Sequence, residues 1–275
     1  MSALLLYINE SLYLLGGIAM IVDTHIHTRF STDSTMTLDQ ALGRAKDLDI
    51  GITLTEHMDL AYPEQNAFIF DVDHYFATYE PYRNSKLMLG IEIGMREDCL
   101  SENRSIVNKH SFDYVLGSIH VIDNIDIYQD IFYLERTKQE VYSQYFNSMA
   151  ECLKTYDFID SLGHIDYICR YAKYNDTELY YREFQESIDS VLKILAEQDK
   201  AMEINTRRLS NSTTIDALLP IYKRFYELGG RYATMGSDAH KPADIGRDLN
   251  VAAQLAQLCN LKLVYFNNRL PQYIK

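Results

Sequence analysis

Asp23-Thr24-His25-Ile26-His27-Thr28, preceded by the apolar pair Ile21-Val22, is the stretch whose reading decides the fold. In an extended segment alternate side chains share a face, so Asp23, His25 and His27 point one way and Thr24 and Ile26 the other. Two imidazoles side by side at a strand end can hold one metal ion, and a neighbouring acid can orient a ring by accepting its other N–H. Alone, an H-x-H pair is equally consistent with polar decoration of a strand edge, so the rest of the chain has to decide.

Outward from it, the same arrangement recurs. Gly51–Thr55 runs into Glu56-His57, Lys86–Ile93 carries Glu92 near its end, and Phe112–Ile119 stops at His120. Phe158–Gly163 stops at His164, Ala201–Ile204 at Asn205, and Arg231–Ser237 at Asp238-Ala239-His240. Helices are expected between them. Thr37-Leu-Asp-Gln40 forms a capping box ahead of Leu38, Ala41, Leu42, Ala45 and Leu48 at helical spacing. Further helical stretches fall around 75–79, 102–109, 135–154, 178–198, 217–228 and 243–258, before a last strand at 261–266.

Strand and helix in alternation argue an α/β fold with a mostly parallel sheet. An open doubly wound sheet shows a ligand only the strands at its switch point. A closed barrel gathers every C-terminal strand end around one mouth. Polar residues at all these ends favour a barrel of seven or eight strands. No stretch rich in Pro, Gly or Ser breaks the chain, so residues 20–275 read as one domain. Residues 1–19 read as an N-terminal extension: Asn9-Glu10-Ser11 interrupts the leucines and no basic residue precedes them, unlike a signal peptide.

With a formal net charge of −13, a diffuse nucleic-acid surface and adhesion to anionic lipid are both excluded as expectations. No run reaches membrane-spanning length. Cys99, Cys152, Cys169 and Cys259 are scattered without a C-x-x-C spacing and read as free buried thiols in a reducing, cytoplasmic setting. An anionic substrate then needs a local source of positive charge, which bound metal supplies.

Six of the eight histidines stand at strand ends: His25, His27, His57, His120, His164 and His240. His74 and His110 do not, and are expected to be solvated. With Asp33, Glu92 and Asp238 they make a nitrogen and oxygen donor set suited to zinc, manganese or iron, too large for one ion. Loading about three divalent ions would turn this set from roughly −3 to roughly +3 and make it a phosphate trap. Arg170, just past the His164 strand, and Arg207 or Arg208, just past Asn205, are the candidate phosphate ligands.

Asp-Thr-His25-Ile-His27-Thr, Thr-Glu-His57, Gly-Ile-Glu92-Ile-Gly, Gly-Ser-Ile-His120, Gly-His164-Ile-Asp and Gly-Ser-Asp238-Ala-His240 occur in this order. In that order the chain resembles the polymerase and histidinol phosphatase (PHP) family from about Met20 to Leu249. Phe-Ser-Thr-Asp33-Ser and the segment through Arg170-Tyr point to its monofunctional histidinol-phosphatase branch. The resemblance implies a distorted (β/α)7 TIM-like barrel with two to three divalent ions at the C-terminal strand ends. Carried over by position, one ion takes His25, His27, Glu92 and Asp238. A second takes Glu92 as a bridge with His120 and His164, and a third takes Asp33, His57 and His240. Glu92, Asp238 and His240 are then the catalytic residues.

The implied activity is hydrolysis of a phosphate monoester, histidinol phosphate in histidine biosynthesis, by a water shared between metals and aimed at phosphorus. Glu56, Asp59 and Glu64, on the loop after the second strand, are expected to form an acidic wall for the cationic end of that substrate. Two other readings stand beside it. One is the same chemistry on a nucleotide or phosphotyrosine protein, and the other is a PHP-like domain that binds metal without turnover.

Overall fold

The strands read in the sequence are β1 (Val22–Ile26), β2 (Gly51–Met58), β3 (Leu87–Gly94), β4 (Tyr114–Ser118), β7 (Ser161–Leu162), β8 (Ala201–Asn205) and β9 (Tyr232–Gly236). They are seen in a computed structural model that describes residues 20–274. The proposed extension at 1–19 lies outside the described residues. The sheet continues through β10 (Lys262–Asn267) and β11 (Leu270–Tyr273), in the order β1-β2-β3-β4-β7-β8-β9-β10-β11. Each neighbouring pair is parallel except β10–β11.

β2 and β3 are buried along their whole length. That is the pattern of parallel strands covered on both faces. The covering helices are α1 (Leu38–Leu48), α2 (Val72–Tyr79), α3 (Leu100–Lys109), α4 (Lys138–Leu153), α5 (Gln185–Glu197), α6 (Ser212–Glu227) and α7 (Leu249–Leu258). α1 starts at the expected capping box: Thr37 accepts from the Gln40 backbone N–H, and Gln40 accepts from that of Thr37 at 2.9 Å. Tyr142, Tyr145, Phe146 and Met149 turn the inner face of α4 into core, each burial contributing about 2–3 kcal/mol.

β1 is also tied to β9. Thr24 donates to the Met235 carbonyl at 3.0 Å, and His27 N–H to the Ala239 carbonyl at 2.9 Å. β10 pairs only with the first half of β9. Its Val264 and Phe266 pack with Tyr114 and Leu116 of β4 and Ala201 of β8.

Boundaries differ where the backbone leaves the helical path. The helix expected at 243–258 begins at Leu249, because Gly246 and Asp248 hold positive φ of 77° and 49°. The one expected at 178–198 begins at Gln185, after a short 3-10 turn at Tyr181–Glu183. A small hairpin, β5 (Val121–Ile122) and β6 (Ile125–Asp126), was not anticipated; its turn residues Asp123 and Asn124 both have positive φ, the geometry of a tight hairpin turn. No helix among the described residues is long and apolar enough to cross a membrane. All four cysteines are free and buried.

Candidate metal centre

Glu92, near the end of β3, is the hub. Its Oε1 lies 2.9 Å from His164 Nε2 and 3.4 Å from His120 Nε2. Its Oε2 lies 2.9 Å from His57 Nδ1, 3.3 Å from His25 Nε2 and 3.5 Å from His27 Nε2. Five imidazoles carried by four strand ends therefore face one carboxylate. Asp238 joins them from the end of β9, 3.7 Å from His25 and 3.5 Å from His27, with its backbone in the left-handed region at φ 55°. His240 and Asp33 meet at 3.0 Å, and Asp33 is 3.7 Å from His57. All nine expected donors are thus neighbours in space.

Glu92 Oε1 is hydrogen-bonded to His164 Nε2 and Ser118 Oγ, but its other oxygen is not. Glu92 Oε2 and His57 Nδ1 are buried and neither makes a hydrogen bond, although they lie 2.9 Å apart. A buried, unpaired carboxylate oxygen costs several kcal/mol unless a cation meets it. Convergent lone pairs without hydrogen-bond alignment are what a shared cation resolves. The donors are nitrogen and oxygen with no thiolate, so the set fits borderline-hard divalent ions. Side-chain atoms fall within reach of one ion in four groups: His25-His27-Asp238, His25-Glu92-His164, His27-His57-His240 and His57-Asp59-His120. Asp59, in the last group, was not among the nine.

The side chains pull one another's protonation apart. Burial disfavours the imidazolium of His25, yet Glu203, Glu92 and Asp238 outweigh it and hold its pKa well above the usual histidine value. His57 is raised despite burial by Glu92 and Asp33, and His120 by Asp59 and Glu92. Burial, aided by His57 and His240, drives His27 well down, and burial also lowers His164. Glu92 and Asp238 are buried, but the surrounding histidines, and Arg170 beside Asp238, hold both well below the usual carboxylate range.

The three arginines are placed differently. Arg170 donates to Asp238 Oδ2 at 2.5 Å and to Asn205 Oδ1 at 2.9 Å, and its Nε is buried without a partner. Arg207 donates to the Asp238 carbonyl at 2.9 Å, and its side chain is 40% exposed. Arg208, expected as an alternate phosphate ligand, turns the other way. It is bound to Asp166 at 2.6 Å and Glu178 at 2.7 Å, so its charge is already neutralised.

A family model described as PHP domain matches residues 23–207. The chain belongs to the PHP family. It is 48% identical to a Clostridium acetobutylicum protein named probable histidinol-phosphatase, over 92% of this chain and all of that one. It is 29% identical to the histidinol-phosphatase of Lactococcus lactis, over 80% of this chain and 84% of that one. The fold is also similar to a crystal structure of a histidinol phosphate phosphatase from Lactococcus lactis complexed with zinc, L-histidinol and phosphate. That match has a TM-score of 0.85 at 27% identity and covers 92% of this chain and 98% of the other.

Other parts of this PHP domain depart from the sequence reading. Asp23, expected to orient a histidine ring, instead accepts the backbone N–H of Ser237 and Gly246, both at 2.9 Å. The acid on the His25 ring is Glu203, 2.7 Å from Nδ1. The acidic wall is also different. Glu56 lies within β2, buried, and accepts from Thr28 and Ser31. Asp59 is buried against His120 at 2.8 Å, which leaves Glu64 as the exposed member. His110 is not simply solvated, since its ring stacks on Phe76 with centroids 5.5 Å apart. His74 is exposed, with its ring against Phe30.

Sequence reading passes over Glu203 and assigns Asp59 to the acidic wall rather than to His120. The signal for Glu203 was present: a carboxylate inside the otherwise apolar strand Ala201-Met-Glu-Ile. Two clefts of about 300 and 390 Å³ flank α2 and the turn after β3, and contain none of the nine donors.

Proposed function

We propose that this chain is a metal-dependent phosphate-monoester hydrolase acting on histidinol phosphate, serving histidine biosynthesis in the cytoplasm. The observation that carries the reading is the buried Glu92 Oε2, which makes no hydrogen bond yet faces three imidazole nitrogens within 3.5 Å. The substrate follows from the relatives, which are named for it. We further infer that β1 to β4 and β7 to β9 close into a distorted (β/α)7 barrel within one domain spanning 20–275. The bonds from β1 to Met235 and Ala239 support closure.

In this reading the nine residues hold two to three ions: His25, His27, Glu92 and Asp238 one, Glu92, His120 and His164 another, and Asp33, His57 and His240 a third. Divalent ions bound there supply Lewis acidity towards phosphate oxygens and lower the pKa of water towards neutrality.

The protein's own groups do the rest. Glu92 fixes the spacing of the surrounding ligands. Asp33 and Arg207, each with a side chain 40% exposed, mark the open side from which substrate enters. Arg207 has the freedom to swing onto the phosphate. Arg170, held by Asp238 and Asn205, offers a fixed guanidinium beside it. An acidic chain therefore attracts phosphate at this one place, and only when loaded.

The test is phosphate release from histidinol phosphate, nucleoside monophosphates and a phosphotyrosine peptide side by side, with and without added zinc or manganese. Metal-dependent release from histidinol phosphate far above the others supports the reading. Equal rates on all three would leave a broad phosphoesterase, and no release from any would leave a non-catalytic metal-binding domain.

A further inference from the structure

Each of two buried carboxylates outside the nine-residue set grips the far side of one imidazole. Glu203 Oε1 is 2.7 Å from His25 Nδ1, and Asp59 Oδ1 is 2.8 Å from His120 Nδ1. A carboxylate oxygen beside Nδ1 accepts its proton, so each contact keeps a proton on Nδ1 and makes Nε2 the nitrogen that a cation can take. Both Nε2 atoms face Glu92, at 3.3 and 3.4 Å.

The carboxylates are themselves held. Glu203 Oε2 accepts His164 N–H at 2.7 Å and the Asn205 amide at 3.1 Å. Asn205 in turn accepts from Arg170, which reaches Asp238. One hydrogen-bonded run thus joins His25, Glu203, Asn205, Arg170 and Asp238, linking the ligand cluster to an arginine of the phosphate side.

The backbone is cut to fit both pairs. A Cβ on Gly236 would lie 2.2 Å from Glu203 Oε1 and 2.4 Å from His25 Cβ, and one on Gly94 would lie 2.0 Å from Asp59 Oδ1. Both positions therefore require glycine, because no other residue leaves room for the carboxylate beside its histidine.

From this geometry we propose that Glu203 and Asp59 are positioning residues that fix the tautomer and ring orientation of His25 and His120 for divalent-metal binding. The proposal rests on the metal-centre reading above. Carboxylates in this role set metal affinity, and their removal typically weakens it about 10- to 100-fold. In Glu203→Gln the amide must either present a donor to His25 Nδ1, forcing the wrong tautomer, or present one to His164 N–H and break that bond. In Asp59→Asn the amide can keep its oxygen on His120 Nδ1, but it is then a neutral, weaker acceptor, and its NH2 replaces a carboxylate oxygen 3.7 Å from His57 Nδ1.

The experiment is zinc affinity of full-length wild type, Glu203→Gln and Asp59→Asn by competition with a chelating indicator. Melting of the metal-free proteins and histidine ¹⁵N spectra of the zinc-loaded forms accompany it. The expected result is about 10- to 100-fold weaker zinc in each variant, a cooperative melt without metal that lies above the temperature of the binding assay, and a wild-type spectrum in which His25 and His120 carry the proton on Nδ1. Variants that bind zinc within threefold of wild type, or a wild-type proton on Nε2 of these rings, would overturn it. If Glu203→Gln fails to fold, Asp59→Asn decides alone. Wild type that binds no zinc overturns the metal-centre reading itself, a distinct outcome.

Discussion

Glu92→Gln removes the one carboxylate that every inner imidazole faces, at nearly unchanged volume. At about 3.3 Å and an effective dielectric near 20, a pair of unit charges is worth about 5 kcal/mol, and a divalent ion doubles that to about 10. Taking ion and carboxylate out of water returns several kcal/mol of it. The net, about 3–5 kcal/mol, corresponds to roughly two to three and a half decades of zinc affinity. The substituted amide also brings a donor into a ring of imidazole nitrogens, where Oε2 now faces three of them. The assay is metal content after dialysis against a graded chelator series, with circular dichroism to show that the fold is kept. A Glu92→Gln protein that keeps its metal and binds zinc within threefold of wild type would refute the reasoning, because the carboxylate would then not be a shared ligand.

Arg207→Ala should raise KM for histidinol phosphate severalfold with little change in melting temperature. Arg208→Ala should do the reverse, leaving KM alone and costing about 3 kcal/mol by stranding Asp166 and Glu178, as denaturant unfolding would measure. His25→Ala and Asp238→Ala should each abolish metal-dependent turnover while far-ultraviolet circular dichroism stays unchanged; substantial activity in either counts against the ligand set. The metal-free protein should be most stable near pH 6.5, the ordinary histidine value. The raised pKa values of His25, His57 and His120 give stabilisation that is complete below that pH and is lost as pH rises through the folded values. The lowered values of His27 and His164 mean that the unfolded chain takes up protons the folded one refuses, so stability also falls on acidification. Excess zinc should remove the alkaline decline, since ions replace those protons. A chelated protein whose unfolding free energy rises steadily from about pH 5 to about pH 9 would contradict this.

The strand ends were legible because the signal is local: an apolar run long enough to cross a sheet, then a histidine or acid at once, as at Gly-Ser-Ile-His120 and Gly-Ser-Asp238. Helix starts with their own chemistry, such as Thr37 with Gln40, were legible for the same reason. What was not legible depends on register between distant segments. Glu203 meets His25 across 178 positions, and nothing beside either residue says so. Asp23, the adjacent acid, was the natural guess for the ring, but its carboxylate is taken by backbone N–H groups of Ser237 and Gly246. Arg207 and Arg208 are adjacent on a turn, and only the path of that turn decides which faces Asp238 and which faces Glu178. The β5–β6 hairpin has strands two residues long, too short for any alternation to register.

The most direct test of the account is total metal analysis of the purified protein paired with turnover of histidinol phosphate by the same sample. The account predicts two to three divalent ions per chain, turnover that is lost on chelation, and its return when zinc or manganese is restored. Protein stripped of metal that still hydrolyses histidinol phosphate at the full rate, or fully loaded protein that releases no phosphate from it, would contradict it.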